Sequence, residues 1–582
     1  MPADTMEQDF ASTSLLPPPT SSSIGKDSAK INEESLASSR TSTVKMTGDE
    51  WKPSREIWLV ILGQSCCVFV VALDATILAA SLPTVSHALN ADAVKSYWFI
   101  TAYLLASAVI QPLSAALADV LGRRPTFFSA IVLFTVGTII CCTAHHSPQM
   151  LVGRTIQGIG GGGALSVNLI ILSDIIPLRQ RSKYVGLIQL INSLATTFGP
   201  LVGAALIKTS WRWLFYINFP FCGIGIAAIP FLLRYVKAET TFYDRLSMID
   251  WTGCTIFIIG ATSFLVGLSW GGNQHSWGSA ATLVPLVLGA LIMCLCIAYE
   301  GYVAKTPFLR LSVFGSRSAI ASYLCTILSS LTLFSEMYFL VLFLGTAKLY
   351  SPLKSAIIFL SFAASVVPVS GITGALITKL GGYRWALVTG WIINTFGLGA
   401  LMILGPESFM PGLVFLFILA GIGQGMLFMA HQVATQASSP VKDVAYASAM
   451  FSFCRSFGFC LGVALGGTAF QNFLRHHLAH NGLSAELAAA IASNAEGYAT
   501  LLRSMAPGPA RLVIVDGYTY GFRYLFATMA GISALGLILC MLIEDHDLDV
   551  QHDSSHKLRS RDPNGSGRQS PEDAAEKRVS MV

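Results

Sequence analysis

Ala115-Ala-Leu-Ala-Asp-Val-Leu-Gly122 returns later in the chain as Gly374-Ala-Leu-Ile-Thr-Lys-Leu-Gly381, an offset of 381 − 122 = 259 residues. Phe198-Gly199-x-x-x-Gly203-x-Ala205-Leu206 returns as Phe457-Gly458-x-x-x-Gly462-x-Ala464-Leu465, and 457 − 198 is again 259. Between them, Gly158-Ile-Gly160-x-Gly162 matches Gly421-Ile-Gly423-x-Gly425 at 421 − 158 = 263, about one helical turn longer. Short Gly/Ala/Leu matches are common in apolar sequence. Two at one offset, in one order, mark a duplication, and both copies lie in hydrophobic segments long enough to span a bilayer.

Composition agrees with a membrane location. Of 582 residues, 53% are hydrophobic and 12% charged, and the mean hydropathy is +0.61; a soluble domain carries about 25% charge. The net charge of +5 says little, because membrane proteins keep Lys and Arg in cytoplasmic loops. No nucleic-acid-binding patch is visible. The 12 cysteines sit in or beside apolar segments, as at Cys66-Cys67 and Cys141-Cys142, with no metal spacing. They read as small packing residues, neither disulfides nor ligands.

About fourteen apolar spans are expected, centred near residues 68, 106, 134, 162, 194, 223, 260, 291, 331, 366, 394, 422, 459 and 531. Each is roughly 18–25 residues, enough to cross about 30 Å of hydrocarbon. An even count puts both tails on one side. Loops on that side hold Arg123, Arg124, Arg179, Arg181, Lys183, Arg310, Arg384 and others, whereas short loops opposite hold only Lys95, Lys208, Arg212, Lys348 and Lys354. The positive-inside rule makes the tail side cytoplasmic. The long loop near 475–519, which carries Arg475, Arg503 and Arg511, is then outside.

The repeat divides the chain into a cytoplasmic tail without folded structure (1–55), a six-helix bundle (56–235), an inserted helix pair with its loops (236–317), a second six-helix bundle (318–543) and a second unstructured tail (544–582). The Ser/Thr/Pro-rich first tail buries too little apolar area to fold. The sequon Asn564-Gly-Ser566 falls on the cytoplasmic side and is expected to be unused. Duplicated membrane halves with a site between them describe secondary transporters.

At this point the motifs resemble those of a known family. Asp119-x-x-Gly122-Arg123-Arg124 resembles the signature loop of the major facilitator superfamily, between its second and third helices. Arg154-x-x-Gln157-Gly158-x-Gly160 resembles its helix 4 motif, and Phe198-Gly199-Pro200-x-x-Gly203 the helix 5 motif of its drug/proton antiporters. Leu73-Asp74-x-Thr76-Ile77, Leu82-Pro83 and Trp211-Arg-Trp-Leu-Phe-Tyr-Ile-Asn-Phe-Pro220 look like the fourteen-span branch, with fungal toxin and multidrug efflux pumps as the nearest likeness. The resemblance covers about residues 56–543. Departures are Ala115 for the usual first Gly, Val120 for a basic residue, Ala204 for the second Gly of the helix 5 motif, and Ala79-Ala80 where the helix 1 motif usually has Asn. The resemblance implies the major facilitator fold: all-α, two pseudo-symmetric six-helix bundles plus two inserted helices.

Three intramembrane charges are candidates for proton coupling. Asp74 lies mid-helix 1 among Phe69-Val-Val-Ala-Leu73 and Ile77-Leu78. Burial favours a neutral carboxyl and a nearby cation favours the carboxylate, so such a group can change state when a cavity changes side; it can also be a packing carboxylate bonded to backbone or Thr76. Glu336, mid-helix 9, stands three residues past 74 + 259 = 333; the resemblance implies that helices 1 and 9 line the cavity, which would put both Asp74 and Glu336 near the interface of the halves, Glu336 for coupling, cation recognition or cavity polarity. Arg154 is permanently charged and must pair or reach water; the resemblance ties it to proton transfer with Asp74 as partner, and a structural role near the helix end is the alternative. Arg455 in helix 13 is a further intramembrane cation, again functional or structural.

The resemblance makes Asp119, Gly122, Arg123 and Arg124 a gating loop, with Asp119 an acceptor at a helix N-terminus; plain topology charges are the alternative. Gly199, Pro200 and Gly203 allow close helix approach, with Pro200 kinking helix 5. Gln157, Asn192, His431 and Gln432 are possible cavity residues, as are Trp98, Tyr103, Trp391, Phe428 and Tyr446. The run Gly160-Gly-Gly-Gly163 has no following Lys-Ser/Thr and no preceding strand, so it is no nucleotide loop.

No cofactor, metal site or catalytic set is expected, so an enzyme is not. The expected function is proton-coupled export of a small apolar organic compound by a monomer in the plasma membrane. Import of a nutrient or siderophore, or a non-transporting sensor, are the alternatives.

Overall fold

The computed structural model describes residues 53–78, 81–91, 93–176, 178–207, 209–232, 242–271, 274–440, 443–493 and 495–546. The tails 1–55 and 544–582 therefore lie outside the described residues apart from 53–55 and 544–546, as does the sequon. Among the described residues the long elements are all helices: α1 Arg55–Ile77, α2 Ala93–Leu121, α3 Arg123–Cys142, α4 Ser147–Ile175, α5 Leu178–Leu206, α6 Asn218–Leu232, α7 Trp251–Trp270, α8 Ala280–Tyr302, α9 Arg317–Thr346, α10 Pro352–Leu380, α11 Arg384–Leu401, α12 Met410–Ala437, α13 Val444–His480 and α14 Pro509–Cys540. Each expected span centre falls in one of them. Among the described residues, twelve spans are long and apolar enough to cross a membrane. α11, 18 residues carrying Arg384 and Asn394, falls short.

Helices are the way a spanning chain satisfies its own backbone polar groups, and their starts are written in the sequence. Ser54, Asp250, Ser279, Ser316 and Ser351 each accept a bond from the backbone N–H three residues on, capping α1, α7, α8, α9 and α10. Between α2 and α3 the chain turns within one residue. Gly122 makes that turn at φ +102°, and its repeat partner Gly381 ends α10 at φ +75°. Both lie in the left-handed region that glycine enters without a Cβ clash.

The duplication reads directly in the packing. In the first half α1 packs on α5 and α6, α2 and α3 on α4, and α3 on α6; in the second, α9 packs on α13 and α14, α10 and α11 on α12, and α11 on α14. The halves meet where α5 touches α10 and where α13 touches α2 and α4. The inserted α7–α8 hairpin sits outside this pattern, α7 lying along α2 and α13 beside the second seam. Gly199 and Gly203 of α5 abut α1: a Cβ at Gly199 would meet Thr76 Oγ1 and one at Gly203 would meet the Ile77 carbonyl. Gly458 and Gly462 of α13 stand against the Ile327 and Leu331 carbonyls of α9 in the same way. α5 runs as one helix through Pro200.

Two expectations need correction. Residues 475–519 are not an open loop: α13 continues to His480, two short helices follow (Ala485–Ser493 and Ala495–Ser504), and α14 begins at Pro509. With 37 residues, α13 is roughly 55 Å long and projects well past the hydrocarbon. Residues 544–546 are held rather than loose. Glu544 N donates to Ser318 Oγ, and Asp545 and the Glu544 carbonyl accept from Tyr383 N and Oη. All twelve cysteines are free.

Candidate functional site

Asp74 is fully buried, and each of its oxygens is used. Arg154 Nη1 on α4 stands 2.6 Å from Oδ2, while Oδ1 accepts from Gln157 Nε2 at 2.9 Å and Asn218 Nδ2 at 2.7 Å. Arg154, also fully buried, donates through Nη1 to Gln157 Oε1 and through Nε to the Phe99 carbonyl. Gln157 completes the cage by donating to Thr138 Oγ1 at 3.0 Å. Helices α1, α2, α3, α4 and α6 thus converge on one ion pair, sited where a lone charge is most costly. Thr76 does not take part; its hydroxyl donates to the Thr196 carbonyl on α5.

The second half holds a reduced copy. Glu336 is fully buried, and Gln424 Nε2 donates to its Oε2 at 2.8 Å and to Thr332 Oγ1 at 3.0 Å. Carboxylate, carboxamide and threonine recur, on α9 and α12 instead of α1, α3 and α4. The cation does not: 154 + 263 = 417 is Phe417, and Glu336 Oε1 has no partner among the described residues.

A cavity of about 390 Å³ lies between the halves, within the range of roughly 300–1,000 Å³ of small-molecule sites. Its wall takes residues from α1, α2, α4, α5, α7, α9, α10 and α13, mostly apolar, among them Val71, Leu265, Phe334, Met337 and Phe459. Polar groups on it include Asn168, Asn192, Ser452, Arg455 and Ser456. Of the four expected polar cavity residues, Asn192 is found there. Gln157 belongs to the Asp74 cage, and His431 and Gln432 are buried in the second half, their side-chain nitrogens and oxygen without partners among the described residues. Of the five aromatics, Tyr103 is on the wall; Trp98 packs on Trp270, Trp391 on His431 and Phe428 on Phe451.

Neither Asp74 nor Glu336 reaches the cavity, so the expectation that both carboxylates sit at the interface is corrected. Each is turned into its own bundle, where amide donors offset its desolvation. Tyr103 stands between Asp74's cage and the cavity: it lines the wall, its Oη donates to the Val71 carbonyl at 3.1 Å, and Arg154 Cζ lies 4.4 Å from its ring centroid.

A second charged group lies at the α2–α3 turn and the start of α13. Arg123 Nη1 is 2.8 Å from Asp119 Oδ1, one turn back, and its Nε is 2.8 Å from Asp174 at the end of α4. Asp119 Oδ2 is 2.9 Å from Arg310 Nη2, and Arg310 Nη1 is 2.8 Å from Asp443 at the start of α13. Asp119 therefore accepts from two guanidiniums, not from a helix N-terminus, because the one-residue turn at Gly122 puts Arg123 in reach. Arg124 is exposed. Arg310 is held above its ordinary pKa: burial pulls it down, but Asp119 and Asp443 outweigh it. Sequence reasoning counted Arg310 only among loop charges and overlooked Asp174, Asp443, Asn218, Gln424 and Asn168. For Asn168 and Gln424, each a carboxamide inside an apolar span, there was a local signal.

The profile of the Major Facilitator Superfamily matches residues 65–463. "MFS transporter L2" of a Phoma species is 34% identical over 527 residues, covering 90% of this chain and 88% of that one. "Efflux pump FUS6" of Gibberella fujikuroi is 32% identical over 527 residues, covering 90% and 95%. Among solved structures, the human organic anion transporter MFSD10 superposes with a TM-score of 0.54 at 14% identity, covering 84% of this chain and all of that one; at that identity the likeness is one of fold. Spanning helices, paired halves and a match over most of the length agree: this integral membrane protein belongs to the Major Facilitator Superfamily of transporters.

Proposed function

We propose that the chain exports a small, largely apolar organic compound in exchange for protons, by alternating access about the cavity between its halves. The observation that carries this reading is Tyr103, at once cavity wall and the face on which Arg154 stacks. Protonating Asp74 discharges its pair with Arg154 and leaves a buried cation uncompensated. Arg154 then shifts, and the wall shifts with Tyr103. The Asp119–Arg310–Asp443 bridge holds the halves together on the tail side while the cavity lies beyond it. The name of the Gibberella fujikuroi relative, an efflux pump, supports the outward direction. The bias of Lys and Arg toward tail-side loops supports a cytoplasmic location for both termini, and the plasma membrane is the expected site.

The test is accumulation of apolar compounds in cells expressing the protein, with and without an uncoupler. Lower accumulation that the uncoupler restores is expected. Lower accumulation indifferent to the uncoupler refutes proton coupling, and raised accumulation refutes export.

A further inference from the structure

One charged side chain lines the cavity among the described residues, and it is a cation. Arg455 on α13 stands on the wall with its Cζ 4.4 Å from the Phe428 ring centroid and 5.2 Å from that of Phe459. The two rings fix the guanidinium plane without neutralising it. Its Nε is buried without a hydrogen bond, and no carboxylate pairs with it among the described residues. Three other arginines described above are each matched: Arg154 by Asp74, Arg123 by Asp119 and Asp174, Arg310 by Asp119 and Asp443. The two buried carboxylates that could have answered Arg455, Asp74 and Glu336, face into their own bundles.

A guanidinium is charged at any physiological pH, and an unanswered charge in an apolar, low-dielectric cavity is unfavourable. The missing counter-charge is therefore a property of what the cavity takes up. We infer that the substrate is an organic anion, a largely apolar molecule bearing a carboxylate that Arg455 holds through its forked donors. Asn168 supports this placement. It is buried on the same wall with Oδ1 unpaired, ready to accept from a hydroxyl or amide of the same molecule. Ser452 and Ser456 flank Arg455 on α13. Phe334, Met337 and Phe459 provide the apolar surface for the remainder. The earlier expectation of cation recognition by Glu336 has no footing on this wall, since Glu336 does not reach it. The inference rests on the export reading for its biological sense, but its chemistry stands on Arg455 alone.

The test uses three forms of one fluorescent skeleton: 4-(1-pyrenyl)butyrate, its methyl ester and 1-pyrenebutylamine. Binding to the full chain in lipid nanodiscs is read by energy transfer from tryptophan to pyrene, with Arg455→Gln nanodiscs measured in the same lipid. A charge-assisted pair predicts that the acid binds at least about tenfold tighter than ester or amine. Arg455→Gln should erase that difference and Arg455→Lys should keep part of it, which also covers a failure of the Gln variant to fold. Ester or amine binding as tightly as the acid, preference surviving Arg455→Gln, or saturable binding of none of the three overturns the inference. Gradient-driven movement of the probes in proteoliposomes separates the two readings. Acid preference without such movement refutes export alone; movement without acid preference refutes the anion assignment alone.

Discussion

Replacing Asp74 with Asn keeps its volume and removes its charge. In the structure this leaves Arg154, fully buried, without its only carboxylate. It also turns one of two accepting oxygens into a donor among Arg154, Gln157 and Asn218, all of which donate to Asp74. Breaking a buried pair from one side is worth about 3–5 kcal/mol of stability, so Asp74→Asn should melt several degrees below wild type. Gradient-driven transport should vanish while downhill exchange of substrate across the membrane stays measurable. The double variant Asp74→Asn/Arg154→Gln removes both charges. Since a buried pair and a neutral replacement are of similar stability, it should recover most of the lost melting temperature and none of the gradient-driven transport. The assays are thermal unfolding of the purified protein and paired proteoliposome measurements, with an imposed proton gradient and in counterflow. A single variant as stable as wild type would refute the ion-pair reasoning. A double variant that pumps against a gradient would show that protons use another route, with Glu336 then the leading candidate.

Arg310→Ala removes the bridge between Asp119 and Asp443 and, at about 1 kcal/mol per partly exposed pair, should shift the conformational balance at least roughly fivefold toward the tail-side-open state. A cysteine placed at Gly186, which packs against Met429 and Gly371, should then label faster, with substrate binding intact; unchanged labelling refutes the bridge as a latch. Gly199→Leu forces a side chain into Thr76 and the Leu73 carbonyl and should lower stability by about 1–3 kcal/mol, whereas Gly223→Leu, with open space around it, should leave the melting temperature unchanged. Burial pushes the Tyr383 phenol above its ordinary value. Its contribution to stability is therefore complete below about pH 10 and is lost as pH rises through the raised value. Tyr383→Phe should melt slightly lower at neutral pH, for want of the bond to the Glu544 carbonyl, and show a shallower alkaline decline.

The fold was legible because its determinants are local. Apolar runs of spanning length, glycine at a left-handed turn and glycine against a neighbouring carbonyl are all demands of one short stretch, and each appears twice. Asp74 and Arg154 were legible for a similar reason: an ionisable residue inside an apolar span is costly wherever it points. What could not be read was direction. Whether Glu336 faces the cavity or its own bundle depends on the rotation of α9, set by packing across the fold. Arg310 joined the tail-side bridge only when three segments far apart in the chain, at 119, 310 and 443, were brought together. A positive charge in a loop has the same appearance whether it orients the chain or locks it.

The paired turns at Gly122 and Gly381 bear on how a duplicated machine divides its labour. The bend was inherited by both copies. The charges beside it were not: Asp119 and Arg123 have Thr378 and Gly382 as their counterparts, and Arg154 has Phe417. Shape is therefore two-fold in this molecule, whereas the arginine of the buried pair and the charges at the turn are one-fold. A chain assembled from two first halves would carry two ion pairs and two sets of latch residues, with no neutral partner for either to move against. One half carries the buried ion pair and the charges at the turn, and the other keeps the same shape without them.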